Sequence, residues 1–180
     1  EIIVAADGSS DRTLEITRQF APQGVKLLHQ PGRRGKTAAL NRAVKHAQGD
    51  IVLFVDANTT NNPEALRALV RHFHDPEVGG VSGRKAIQQG RDRFAAWGEG
   101  LFWRYESQLK RLESDIGSIA TADGEIFAVR RDLFRPIPED IIHDDMALTL
   151  DLIRQGYRVL YEPHAVSFEE ASKRVVDEFY

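Results

Sequence analysis

The chain has 180 residues, 42% hydrophobic and 28% charged, with a net charge of −3. That length suits one domain with a substantial core, and the slightly acidic balance excludes a general basic field for nucleic acid or an anionic membrane. The absence of cysteine excludes disulfides and thiolate metal sites and suits a reducing compartment. No apolar run approaches the ~20 residues of a membrane span, and no signal peptide is visible. The chain opens without Met on a strand-like run and closes on a helix-like one at 172–180, so both ends are expected to continue into a longer protein.

Residues 2–5 read as a buried strand running into Asp7-Gly8-Ser9-Ser10-Asp11. Gly8 permits a tight turn, and Ser10 or Asp11 can cap a helix reaching about Phe20, with Leu14, Ile16 and Phe20 as its core residues. A short strand at 25–29 leads to the loop 30–35. From Lys36, Ala39, Leu40, Ala43, Val44 and Ala47 keep helical spacing, and Gly49 ends the run. Ile51–Val55 is uninterrupted and apolar, which predicts a central strand of a parallel sheet, buried on both faces.

Asn62-Pro63-Glu64 predicts a capped helix start, with Leu66, Leu69, Val70 and Phe73 on its buried face. A strand at 78–86 carries Gly79, Gly80 and Gly83, which leave room for close approach. Phe94, Trp97, Leu101, Tyr105, Leu109 and Leu112 mark a long helix whose aromatic stripe is expected to be core. A strand-like run at 126–129 follows Asp123-Gly124-Glu125. Met146, Leu150 and Ile153 face inward on a helix stopped by Gly156, and 157–161 is a last strand. Alternating strands and helices predict an α/β fold with a mostly parallel central sheet flanked by helices, in one domain over 1–180.

Acidic groups gather at the strand ends: Asp7, Asp56 with Asn58, Asp123 with Glu125, and Asp144 with Asp145. In open α/β sheets that is where ligands bind. Gly32 to Thr37 is not a P-loop, because Gln30 stands where the earlier glycine is required. Asp56-Ala-Asn58-Thr59-Thr60 is not an aspartyl-phosphate phosphatase motif, because its proton-donating aspartate is Asn58 here.

Five blocks carry a resemblance: Asp7 to Thr13, Arg34 to Asn41, Asp56-Ala57-Asn58, Gly124 to Arg131, and Asp144 to Leu148 followed by Gly156-Tyr157-Arg158-Val159. Their order resembles a family 2 glycosyltransferase with the GT-A nucleotide-sugar-binding fold, over nearly the whole chain. Asp56-Ala57-Asn58 occupies the family's DxD position, with Asn58 in place of the second aspartate. The family's first strand would lie before Glu1, and the QxxRW motif of processive synthases is absent from these residues.

The resemblance implies an inverting transfer of a sugar from a nucleoside diphosphate, UDP above all, to an acceptor hydroxyl in polysaccharide or cell-surface glycan synthesis. Asp7 and Gly8 then belong to the base-binding end, and Arg34 and Lys36 approach the base or diphosphate. Asp56 and the Asn58 carbonyl would hold Mn2+ or Mg2+, which favours oxygen ligands shared with phosphates. Ala57 lies between them in the donor site. Asp145 takes the position of the base that deprotonates the acceptor, with Asp144 beside it. Asp123 and Gly124 match the acceptor side. The implied partners are a nucleotide-sugar donor and a glycan or lipid-linked acceptor, at the cytoplasmic face of a membrane that only missing segments would contact. A sugar-phosphate nucleotidylyltransferase and a non-catalytic nucleotide-binding domain are the alternatives.

Overall fold

The structure, a computed structural model, describes residues 1–88 and 93–170. The helix-like run at 172–180 and the side chains of Phe94, Trp97 and Leu101 lie outside them. In chain order the elements are β1 (Ile2–Asp7), α1 (Thr13–Gln19), β2 (Val25–Gln30), α2 (Lys36–Val44), β3 (Ile51–Val55), β4 (Thr59–Asn61) and α3 (Ala65–Val70). There follow β5 (Val78–Gln88), α4 (Arg93–Ile116), β6 (Ile126–Arg130), α5 (Asp144–Arg154) and β7 (Arg158–Glu170). None of the described helices is long and apolar enough to cross a membrane.

The strands form a parallel pair, β1–β2, and a five-stranded sheet in the order β3-β6-β5-β7-β4. The expected α/β architecture holds, but the mostly parallel sheet does not. Only β5 and β7 pair in parallel within the larger sheet, while β3–β6, β5–β6 and β4–β7 are antiparallel. The cause is two reversed strands, β4 at the edge beside β7 and β6 in the interior. β3, β5 and β7 share a direction, but β6 runs against them and lies between β3 and β5. Periodicity reports burial, not direction, so the reversal left no mark in the pattern.

The reversal also explains the sheet's centre. β3 ends the five-strand order and is only partly buried, with Val55 45% exposed. The strand buried on both faces is β6, which alternates as strand geometry requires. Phe127 and Val129 join Phe54, Leu148, Leu152 and Val159 on one face. Ile126 and Ala128 join Ala65, Ala68, Leu69 and Val81 on the other.

Helix phases differ from the expected ones. In α3 the buried residues are Ala65, Ala68 and Leu69, with Phe73 just beyond, while Leu66 and Val70 are exposed. Asn62 does not cap the helix with its side chain. It accepts from Val166 N at 2.7 Å and donates to His164 O at 3.1 Å, stitching the helix entrance to β7. In α1, Ile16 and Phe20 are exposed and Thr17 is buried; in α5, Met146 and Leu150 are exposed and Leu148 and Leu152 are buried. The described part of the α4 stripe, Tyr105, Leu109 and Leu112, also faces outward. Toward β7 that helix presents polar groups instead: Tyr161 donates to Ser107 Oγ at 2.9 Å, and Lys110 is buried.

The three glycines of β5 do admit close neighbours. A Cβ on Gly83 would lie 2.6 Å from Ala165 O, and one on Gly79 2.7 Å from Tyr157 Cβ. Gly8 adopts φ +67°, where a side chain is strained.

Candidate functional site

One edge of the molecule collects the chemistry. β3 ends there at Val55, so Asp56 emerges there, and the reversed β6 begins there, so Asp123-Gly124-Glu125 arrive at the same edge. β4 pairs with the end of β7, Thr59 opposite Glu169, which brings β7's last acids beside Asn58.

Asp7 closes β1. Its Oδ2 accepts from the backbone N–H groups of Arg34 and Gly35, both at 2.7 Å. Arg42 approaches Oδ1 at 3.7 Å, yet that buried oxygen has no hydrogen-bond partner. Burial pushes the Asp7 pKa up, but the two amides and the charges of Arg42 and Arg33 outweigh it, and the net shift is downward. Gly8 lies against the same loop, where an added Cβ would meet Arg33 at 2.9 Å.

The loop held by Asp7 delivers Lys36, at the first position of α2, to Asp56, with Nζ 3.0 Å from Oδ1. Burial lowers the Lys36 pKa, but the Asp56 bond and charge, with Asp144 and Asp145 nearby, raise it overall. Asp7 and Asp56 therefore face one site through residues 34–36, although their strands lie in separate sheets. The Arg34 side chain turns away to Glu139, in a half-exposed pair at 2.8 Å that contributes little stability. Ala57 is exposed in the turn between Asp56 and β4. Asn58 donates from Nδ2 to Glu169 Oε1 at 3.0 Å.

The acidic pair opens α5. Asp145 Oδ1 accepts from Met146 N at 2.7 Å, and its Oδ2 is 3.3 Å from Gly124 N. Gly124 leaves room for that contact, since a Cβ would lie 3.1 Å from Asp145 Cβ and press on it. Asp144 is buried, which raises its pKa; Lys36 opposes the shift, and the Asp145 and Asp56 charges add to it. Leu40, Phe54, Phe127 and Leu148 line a small pocket against both acids. Asp123 turns to the buried Lys110 at 2.8 Å, and its burial raises its pKa despite that partner. Gly124 thus reaches the acidic pair while the Asp123 carboxylate faces α4.

The family model described as Glycosyl transferase family 2 matches residues 1–137. The chain belongs to glycosyl transferase family 2. A poly-beta-1,6-N-acetyl-D-glucosamine synthase of Staphylococcus aureus is 30% identical over 174 residues, which are 92% of this chain and 42% of that relative. The chain therefore spans less than half of its relative's length. Among solved structures, a mannosyltransferase from Pyrobaculum calidifontis in complex with GDP-Man and Mn2+ is 29% identical, with a TM-score of 0.80 over 99% of this chain and 50% of that one. Staphylococcus aureus TarS in complex with UDP-GlcNAc shares the fold at 20% identity and a TM-score of 0.65, over 97% of this chain and 50% of that one. This is the GT-A fold, and the transferase family removes the nucleotidylyltransferase alternative.

Several residues of this family 2 site were not singled out in the sequence. Lys85 lies between Glu125 Oε1 and Glu169 Oε2. Asn41 clasps Ile137, donating to its carbonyl at 2.7 Å and accepting from its N–H at 2.9 Å. Glu169 is visible only once β7 is known to run past Tyr161. The short run after it, Ala165 to Phe168, with its β-branched and aromatic residues, is the signal that could have revealed this.

A cavity of about 480 Å³ lies elsewhere, lined by Arg71, His72, Arg111, Tyr161, Glu162 and His164. Its buried carboxylate, Glu162, is already saturated by Arg71, His72 and the His164 N–H. It contains none of the strand-end acids.

Proposed function

We propose that this domain moves a sugar from a UDP-sugar to an acceptor hydroxyl with inversion, in the assembly of a glycan. The observation that carries the reading is the continuous path from Asp7 through the Arg34 and Gly35 amides and Lys36 to Asp56, with Asp144 and Asp145 beside its end. The unpartnered Asp7 Oδ1 suits a base N–H donor. The name of the curated relative, a poly-beta-1,6-N-acetyl-D-glucosamine synthase, supports it.

The donors near Asp56 fit a hard divalent cation, Mn2+ or Mg2+. Asp56 and the Asn58 carbonyl offer the oxygen ligands that such a cation prefers. Among the described residues no group of three or more His, Cys, Asp or Glu could hold a metal by itself. When bound, the cation supplies Lewis acidity to the departing diphosphate. The mannosyltransferase neighbour is complexed with Mn2+.

The chain's own residues do the rest. Asp7 fixes the loop that carries Lys36, and Lys36 brings positive charge to the diphosphate side. Asp145, steadied by Gly124 and Met146, receives the acceptor's proton as the new oxygen–carbon bond forms at the anomeric carbon. The old carbon–oxygen bond breaks with its electron pair going to the diphosphate. Titration calorimetry with UDP and GDP, each with Mn2+ or with EDTA, tests the donor half. UDP should bind more tightly with Mn2+, and Asp56→Ala should remove most of that difference. A preference for GDP, or UDP affinity indifferent to EDTA, would overturn this part of the reading.

A further inference from the structure

The observation is the hydrogen bond between Asn58 and a residue 111 positions later. Asn58 Nδ2 is 3.0 Å from Glu169 Oε1. A carboxylate oxygen only accepts, so the group facing it must be the N–H side of the amide. The Asn58 carbonyl oxygen is thereby turned away from Glu169, and no described side chain or backbone group donates to it. Left to itself, an exposed asparagine could present either end of its amide to the solvent. Here one end is committed.

Glu169 is held in turn. Its other oxygen pairs with Lys85, which also pairs with Glu125. Lys85 is mostly buried, and its pKa is raised by these two partners against the opposing effect of burial. The two carboxylates thus hold Lys85 charged, and it anchors both. The second Glu125 oxygen is buried without a hydrogen-bond partner, so the cluster is short of one donor or cation. Three carboxylates, Asp56, Glu125 and Glu169, stand there against the ammonium groups of Lys36 and Lys85.

We propose that Glu169 is a positioning residue for the cation site: it orients Asn58 so that Oδ1 is left for the cation, and it supplies from β7 the negative charge that Asn58 lacks. The inference rests on the cation site proposed above and adds a residue to it. Groups that orient a metal ligand from behind commonly change metal affinity by 10–100-fold when removed. The arrangement also reverses a simple expectation. An aspartate at 58 would add charge to the cation site, but it would face the Glu169 carboxylate at hydrogen-bond distance without a proton to share. The two positions should therefore tolerate one carboxylate between them, in either place.

The test is a four-protein cycle: the parent, Glu169→Gln, Asn58→Asp and the double variant. Mn2+ affinity in the presence of UDP is read by electron paramagnetic resonance of free Mn2+, and UDP affinity in EDTA by calorimetry. Glu169→Gln should weaken Mn2+ about tenfold, Asn58→Asp should also weaken it, and the double variant should return to within about threefold of the parent. UDP affinity in EDTA should stay constant across the set, which a general loss of structure would not allow. Glu169→Ala, which removes the amide's partner as well as the charge, should cost at least as much as Glu169→Gln. Tighter Mn2+ binding by Asn58→Asp alone, or no change in Glu169→Gln, overturns the inference while leaving the cation site standing. A parent protein whose UDP affinity ignores Mn2+ overturns both.

Discussion

Lys36 Nζ sits 3.0 Å from Asp56 Oδ1 and 3.3 Å from Oδ2, so the acid expected to meet the cation is neutralised by a lysine. On the proposed reading, a cation at Asp56 would displace that ammonium and leave Lys36 to the diphosphate. Lys36→Met should then weaken UDP binding tenfold or more, the roughly 1.5–3 kcal/mol of a hydrogen bond to a charged group. Calorimetry with UDP and Mn2+ measures it. Unchanged affinity would mean that Lys36 only neutralises Asp56.

Asp145→Asn should leave UDP affinity nearly intact and lower turnover by the ~10²–10⁴-fold typical of losing a general base. Asp144→Asn should cost less, since Asp145 is the acid seated on the Gly124 and Met146 amides while Asp144 is buried. UDP release with donor and acceptor sugars present is the readout. A larger loss in Asp144→Asn would exchange the two roles.

The contact between Gly124 and Asp145 can be probed without touching either acid. The Cβ of Gly124→Ala would stand 3.2 Å from Asp145 Oδ2, tight enough to move the carboxylate. The carboxylate would give by a few tenths of an ångström, and a full ~1 Å misplacement of a reacting group costs roughly 10²-fold. Turnover should fall by less than that order, with UDP affinity preserved. If both hold at parental values, Asp145 does not depend on its seat against Gly124.

Stability should depend on pH through two acids with opposite signs. The native pKa of Asp7 lies below its ordinary 3.8, so its ionised form favours folding. That contribution is complete above 3.8 and is lost as pH falls through the depressed native value. The native pKa of Asp144 lies above 3.8, so its ionisation opposes folding at neutral pH, and the penalty fades as pH falls toward 3.8. Asp7→Asn should lower the melting temperature at pH 7, and Asp144→Asn should raise it. Both differences should shrink in acid. Melting curves from pH 7 to pH 3 follow them, and equal signs at pH 7 would contradict the assignment.

Gly83→Ala should destabilise the sheet by about 1–3 kcal/mol or more, the usual cost of overpacking. Its Cβ would press 2.6 Å from the Ala165 carbonyl, which belongs to backbone and cannot swing aside. Chemical denaturation gives the value directly.

The strand-end acids were legible because each signal is local: an apolar run, then a carboxylate. Asp7 and Asp56 needed nothing more. Glu169 was hidden because its meaning depends on a partner 111 positions away and on β7 continuing past Tyr161. The phase of α3 was misread for a different reason. Six residues make less than two turns, and the close approach to β7 selected Ala65 and Ala68 over the larger Leu66. β6 was recognised as a strand but not as a reversed one, since alternation is the same read in either direction.

Helix α2 begins at Lys36 beside Asp56, clasps Ile137 through Asn41, and reaches the Ala6 carbonyl through Arg42 at 3.3 Å. Val44 and Leu40 seat it on the core against Phe54 and Leu148. One nine-residue rod thus touches the proposed nucleotide end and the segment that leads into Asp144 and Asp145. If a donor draws on Lys36 as proposed, the shift would pass along this rod and through the clasp at Ile137 toward the acidic pair. The expected kinetic order is then donor first, and severing the clasp with Asn41→Ala should make binding of the two substrates less ordered.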